Sequence, residues 1–377
     1  MNEAIQILET ATGTAFPGCQ AWVSCRGEVV LDVSMGRRST DEDAEAVDSA
    51  TLFDIASVTK AIGTSVVLMR LYDLGALDLN RRVVRDLGRL PWAPFLVDAT
   101  YLDLLNHRSG LLGYKELFLK FRPEDLPLPG QARRALAARI AALPQSYPAG
   151  EKNEYSDFGF MLLGWALEYL CGVPLSALFQ THLGATLDLR SLTTSDSDGP
   201  ALENVAAAEK CPWRKGVVQG HVHDEHAFLL GGCAGHAGLF ANARDVGRVG
   251  KVLLDAFHGR DNSFLSQHTV RRFWNPSNAL NGEGHRLGFD SAAAEQSQAG
   301  TPATPWTVGH LGFTGTSLWI YPEVETVAVL NTNRVNPDRR NMEIQDLRRN
   351  FHTAIMKAVR NPESEPDSAP NEQPGLF

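Results

Sequence analysis

Phe53-Asp54-Ile55-Ala56-Ser57-Val58-Thr59-Lys60 is the stretch on which the reading turns. From Ser57 to about Leu74 the apolar residues Val58, Ile62, Val66, Val67, Met69 and Leu71 recur at helical spacing, and Gly75 is a stop signal. The spacing predicts a helix opened by Ser57 with Lys60 one turn on, so that the two side chains share a face. Of the eight lysines, Lys60 alone has a serine three positions earlier. A serine hydroxyl is a weak nucleophile until a base takes its proton. The unpaired N–H groups and dipole at a helix start favour the negative charge of an alkoxide or an attacked carbonyl oxygen. Lysine can be that base only if its pKa falls from about 10.4 toward 7, which demands burial or a cationic neighbour. The competing reading is a serine cap followed by an exposed lysine.

On the N-terminal side, residues 20–25 and 29–33 read as strands joined by Arg26-Gly27-Glu28, a hairpin, behind a short helix at 4–11. Residues 41–48 are acidic and unpatterned, an exposed loop. On the C-terminal side the middle of the chain carries Pro-punctuated helical pieces at 101–106, 133–143, 158–170 and 175–182. Irregular stretches at 122–130 and 195–200 separate them. Strand-like runs return at 306–311, 317–321 and 326–331, followed by a helix over about 339–359 and a Pro, Glu and Ser-rich tail, 361–377, expected to be disordered. The fold class is therefore α/β (α+β). An antiparallel sheet flanked by helices is built from both chain ends, 1–75 and 240–360, and a mostly helical domain, 76–239, is inserted in it.

The chain has 377 residues, more than a single core usually serves. Apolar content of 44% with 21% charge excludes a wholly disordered or collagen-like chain. A net charge of −9, from 35 basic against 44 acidic residues, argues against nucleic acid as a partner. No run approaches the roughly 20 apolar residues of a membrane span. Met1-Asn2-Glu3-Ala4 opens without a basic, then apolar, leader, so no secretory signal is expected. The cysteines at 19, 25, 171, 211 and 233 form no C-x-x-C pair and read as reduced thiols, which with the missing leader suggests a cytoplasmic protein.

Three further stretches carry chemistry. Tyr155-Ser156-Asp157 precedes the apolar helix at 158–170, and a phenol near an ammonium can pass a proton between nucleophile and leaving group. The plainer alternative is an Asp cap under a packed tyrosine, since Tyr101-Leu102-Asp103 has the same spacing. His310-Leu311-Gly312-Phe313-Thr314-Gly315-Thr316 lets a backbone approach a ligand closely, or is simply a glycine-rich turn. His221-Val222-His223-Asp224-Glu225-His226, with His236, lacks an H-E-x-x-H pattern and a cysteine partner, so a loop bordering a cleft is preferred to a metal site. No metal or cofactor is expected. The glycines of 231–238 are permissive backbone where the chain re-enters the α/β domain. There is no G-x-S-x-G elbow.

Ser-x-x-Lys opening a helix, Tyr-x-Asp about a hundred residues on, and His-x-Gly on a late strand together resemble the class C β-lactamase-like serine hydrolases. That family shares its fold with penicillin-binding proteins and includes esterases and D-amino-acid peptidases. Phe53 to Ala56, the run Leu104-Leu105-Asn106-His107-Arg108-Ser109-Gly110-Leu111, and Phe313 to Thr316 leading into Leu318-Trp319-Ile320-Tyr321-Pro322 extend the resemblance from about Gly27 to about Leu330. It implies that Ser57 is acylated, that Lys60 and Tyr155 share its proton, and that the N–H groups of Ser57 and Phe313 form the oxyanion hole. It also implies that Asp157, His310 and Gly312 line the cleft and contact substrate or the Lys60 ammonium. His107 fits a structural or a cleft role equally.

Two departures bear on substrate. The family's lactamases usually carry Asn at the place of Asp157 and Lys-Thr-Gly at the place of His310-Leu311-Gly312. A mostly neutral imidazole and an apolar Leu311 remove two groups suited to a substrate carboxylate. The expectation is a serine hydrolase of small esters, amides or peptides with weak or no β-lactam turnover. A D-stereospecific peptidase or β-lactamase on muropeptide-like substrates is the alternative, and a catalytically silent binding protein of the same fold is the reading from another class.

Overall fold

Residues near both chain ends alternate between two apolar faces and so build one sheet. The computed structural model describes residues 1–89, 92–122, 129–260, 263–280, 284–292 and 297–360. The expected tail, 361–377, lies outside them, as does most of the irregular stretch at 122–130. Strands β1 (Gly18–Cys25), β2 (Glu28–Gly36), β3 (Asp290–Ser291), β4 (Val308–Leu311), β5 (Ser317–Tyr321) and β6 (Thr326–Thr332) lie in the order β2-β1-β6-β5-β4-β3. Every neighbouring pair is antiparallel. The first strand meets the last in the middle of the sheet, Cys19 opposite Thr332 and Cys25 opposite Thr326.

Five helices concern the site: α1 (Asn2–Ala11), α2 (Val66–Asp73), α3 (Asp157–Cys171), α4 (Ala243–Phe257) and α5 (Ile344–Arg360). The side-chain period of two sends Trp22, Leu318, Ile320, Val327 and Val329 to one face of the sheet, and Ala21, Val23, Trp319, Tyr321, Ala328 and Leu330 to the other. Leu8 of α1 and Phe351 and Ile355 of α5 cover the second face. Val246, Val249 and Leu253 of α4 cover the first. Helix α4 lies close because a Cβ on Gly247 would stand 2.1 Å from the Trp22 ring, and one on Gly250 2.7 Å from Val327. The same apolar cluster runs on through Ile62, Val66 and Val67 to Leu104, Phe158, Phe160 and Leu163, joining the sheet to the helical stretch.

A second, three-stranded sheet pairs Phe53–Asp54 with Leu239–Ala241 and that strand with Thr193–Thr194. It fixes the residues just before Ser57. Two expected helices start late. Ser57 stands in a turn, the helix beginning at Val58, and Lys60–Ser65 is a wider π-helical segment that continues as α2. Helix α5 starts at Ile344 rather than near 339, because Arg339 is drawn into ion pairs with Glu209 and Glu225 while the carbonyls of Arg339 and Asn341 accept from Arg334. Among the described residues no single helix is long and apolar enough to cross a membrane.

Candidate active site

The turn that carries Ser57 is held from below. Asp54, buried, accepts from the Ala56 N–H at 2.8 Å and the His223 N–H at 2.6 Å. Ala56 then takes a left-handed conformation, φ +46°, which is uncommon for a residue with a Cβ and is found where surrounding bonds enforce it. The next residue, Ser57, is half-buried at the mouth of a cavity of about 620 Å³. Its N–H gives no hydrogen bond among the described residues.

Lys60 is completely buried. Its Nζ donates to Ser57 Oγ at 2.9 Å and to the His236 carbonyl at 3.2 Å, and pairs with Asp157 Oδ1 at 2.7 Å. The Nζ also stands 4.6 Å from the centre of the Tyr155 ring. Glycines bring the His236 segment this near: a Cβ on Gly235 would meet the Phe160 carbonyl at 2.0 Å. Ser156, not Asp157, caps α3, its Oγ accepting from the Gly159 N–H. That leaves the Asp157 carboxylate free for Lys60.

The protonation states differ from the condition set by the sequence for a lysine base. Burial works to lower the Lys60 pKa, but the Asp157 carboxylate and the Tyr155 phenol outweigh it and hold it above its ordinary value. Lys60 is thus an ammonium in the resting site. The phenol of Tyr155 lies within reach of both Lys60 and Ser57, and burial pushes its pKa up to about 12 against the pull of Lys60. It rests as a neutral O–H.

Opposite Ser57, strand β4 brings His310 and Leu311 to the cleft, and the loop after it presents Gly312 and Phe313, a residue 48% exposed. This loop is tied to the Ser57 turn, Thr314 Oγ1 donating to the Asp54 carbonyl at 2.7 Å and Thr316 Oγ1 to the Ile55 carbonyl at 3.0 Å. Gly312 has no room for a side chain, since a Cβ would stand 1.9 Å from Thr316 Oγ1. The Phe313 N–H, like that of Ser57, has no partner among the described residues.

Sequence reasoning missed His285. It, His107 and His310 surround Tyr155, with ring centres 5.2, 4.8 and 5.8 Å from the phenol ring. Burial first, and then Lys60, holds the imidazole of His285 down to about 4; burial leads the lowering of His107 and His310 too, with Lys60 among the later causes. Three neutral rings therefore enclose the phenol without adding charge. His285 sits in a segment with no motif, so only tertiary contact could find it. Arg334, Arg339 and Arg348 on the far wall were missed for the same reason.

The histidines of the 221–236 stretch make contacts within the protein. His223 stacks on Phe313 at 5.7 Å, and His236 Nε2 meets Asp224 Oδ1 at 2.8 Å. His226 Nε2 accepts from the Phe118 N–H at 3.2 Å, and His221 packs edge-on against Phe228. Among the described residues, the group with metal-ligand spacing is Glu209, Cys211 and Glu225. The Arg339 guanidinium already bridges its two carboxylates.

A model of the beta-lactamase family matches residues 5–351. The chain is 31% identical over 361 residues to the N-acetylmuramyl-L-alanine amidase of Bacillus subtilis (strain 168), covering 89% of this chain and 81% of that one. It is 29% identical over 315 residues to a putative D-alanyl-D-alanine carboxypeptidase of Escherichia coli (strain K12), covering 76% and 70%. Its fold superposes on the D-amino acid amidase of Ochrobactrum anthropi with a TM-score of 0.73 at 17% identity, over 96% of this chain and 99% of that one.

Proposed function

The chain belongs to the beta-lactamase family of hydrolases, and from that premise we propose that it cleaves an amide bond through an acyl-enzyme on Ser57. One observation carries this reading: Ser57 Oγ lies 2.9 Å from a wholly buried ammonium that is paired with Asp157 at the mouth of a substrate-sized cavity. An ammonium and a high-pKa phenol suit a shuttle rather than a free base. Ser57 Oγ attacks the carbonyl carbon while its proton moves to the Tyr155 oxygen. The phenol's own proton passes to the departing nitrogen, and the C–N bond breaks. The tetrahedral oxyanion rests on the N–H groups of Ser57 and Phe313. Water then adds to the acyl carbon, its proton returns through Tyr155 to Ser57 Oγ, and the C–Oγ bond breaks to release the acid. Tyr155 is neutral before and after each step, while Lys60 stabilises the charge that builds on both oxygens.

For the substrate we infer a muramyl-type amide, with activated esters as surrogates. Likeness to the Bacillus relative over most of both chains supports this. So does a cavity of about 620 Å³ walled by the exposed rings of Tyr114 and Phe313 and by Arg334 and Arg339. A β-lactam or a D-alanyl-D-alanine carboxylate fits less well, because the place next to Ser57 that would take it offers the neutral His310.

The test is alanine release from N-acetylmuramyl-L-alanine, beside p-nitrophenyl acetate, a D-alanyl-D-alanine peptide and nitrocefin. The wild type should release L-alanine and, with a fluorophosphonate, gain the phosphonyl group on Ser57 with loss of HF. Tyr155→Phe should lose about 10²- to 10⁴-fold in kcat. Release of D-alanine alone would favour the reading suggested by the Escherichia relative. Equal behaviour of wild type and Ser57→Ala on every substrate would remove Ser57 as nucleophile.

A further inference from the structure

The cleft holds a buried guanidinium with no carboxylate beside it. Arg348, one turn into α5, is 4% exposed. Its Nη2 donates to the Gly312 carbonyl at 2.6 Å and to the Thr316 carbonyl, and its Nη1 to Gln298 Oε1 at 3.2 Å. Among the described residues no Asp or Glu pairs with it, and burial together with nearby Arg334 lowers its pKa to about 9. Burying a cation without a counter-ion is costly, so the groups it bonds deserve a reason.

The Gly312 oxygen and the Phe313 N–H belong to one peptide unit. A hydrogen bond accepted at a peptide oxygen polarises the unit and strengthens its N–H as a donor, and a charged donor does so more than a neutral one. The same oxygen also accepts from the Gly315 N–H at 3.1 Å. Arg334 Nε holds the next carbonyl, that of Phe313, at 2.9 Å. We propose that Arg348 is a positioning residue. Through the Gly312 carbonyl it fixes the plane of the Gly312–Phe313 peptide and sharpens the Phe313 N–H toward the substrate oxyanion. This rests on the acyl-enzyme reading of Ser57. Arginine suits the place because one arm of its planar fork, Nη2, takes both carbonyls while the other, Nη1, is held by Gln298, so its orientation is fixed where an ammonium is a single point.

The experiment compares wild type, Arg348→Met and Arg348→Lys on p-nitrophenyl butyrate, with melting temperatures. Inhibition is measured with butylboronic acid, whose tetrahedral adduct on Ser57 puts an oxygen in the hole, and with butyrate, which forms no adduct. Losing a whole oxyanion donor costs about 10²- to 10³-fold, so Arg348→Met should lose about 10- to 100-fold in kcat with KM within about threefold. Boronate affinity should fall in parallel with kcat/KM while butyrate affinity holds, and Arg348→Lys should recover part of the loss. A kcat within twofold of wild type overturns the proposal. So does a joint fall of boronate and butyrate affinity, the signature of a loosened cleft. If Arg348→Met does not fold, the same criteria are applied to Arg348→Lys. Wild type that takes no fluorophosphonate on Ser57 brings down both readings. Labelled wild type with an indifferent Arg348 variant brings down this one alone.

Discussion

At the scale of single residues, the charge on Lys60 depends on Asp157. Their 2.7 Å pair opposes the cost of burying the ammonium. In Asp157→Asn that charge goes, the Tyr155 phenol being neutral below about 12, and the Lys60 pKa should drop below its ordinary value of about 10.4. Between the lowered folded pKa and about 10.4 the unfolded chain then binds a proton that the folded one does not, so stability of the variant rises with pH across that window. Leaving a buried charge unpaired typically costs about 3–5 kcal/mol. The Tm gap between wild type and Asp157→Asn should therefore be wide at pH 7 and narrow toward pH 10, as followed by circular dichroism. A constant gap would mean that Asp157 does not set the charge of Lys60. The resemblance implied that Asp157 meets substrate or the Lys60 ammonium, but Tyr155-Ser156-Asp157 does not itself say which of Ser156 and Asp157 caps the helix, nor which way the Lys60 pKa moves.

At the scale of elements, period-two runs placed β5 at its observed bounds, Ser317–Tyr321, and located β1, β2 and β6 to within a few residues. Both faces of β5 and β6 meet helices, which is why their apolar runs are nearly continuous, whereas β2, at the sheet edge, is mostly exposed. The widened turn at Lys60–Ser65 was not legible, since its cause is tertiary. Thr64 Oγ1 donates to the Gly235 carbonyl at 2.7 Å, and Lys60 is drawn to His236 and Asp157. Helix α4 gives a test at this scale. Gly247→Ala would add about 1 kcal/mol of helix propensity. Its Cβ, however, would overlap the buried Trp22 ring, which is not the far end of a flexible chain. Overpacking of about 1–3 kcal/mol should win, so urea unfolding should show a lower midpoint at unchanged slope. A stabilised variant would mean that α4 stands further from the sheet.

At the scale of the molecule, several imidazoles are buried in neutral form. His352 accepts and donates between Ser317 and Tyr321 and is held down to about 3 by burial and Arg348. His285 is held to about 4, and His107 and His310 well below the ordinary range. Below about pH 6.5 the unfolded chain binds protons at these rings that the folded chain refuses, so stability falls as pH falls. Glu209 adds to the loss lower down, because Arg339 and His223 outweigh its burial and hold it to about 2. Asp290, raised to about 6 by burial, acts the other way between about pH 4 and 6, and so does Asp54, which burial also raises, two groups against the four rings named. The Tm should be level above about pH 7 and decline steadily from about 6.5 toward 4. A Tm unchanged down to pH 5 would show these rings to be hydrated.

The amino-acid sequence by itself determined the family and the sheet built from both chain ends. It did so because Ser57, Lys60, Tyr155 and the late glycine-rich run sit in short local motifs, and because strand alternation needs only neighbouring residues. Only the tertiary structure decided that Lys60 is charged, that Asp157 keeps it so, and that His107, His285 and His310 ring the phenol. The same holds for Arg348, which lies 36 residues beyond the Gly312 carbonyl it bonds. Protonation and polarisation depend on what is buried against what, and residues far apart in the chain meet only once the core has closed.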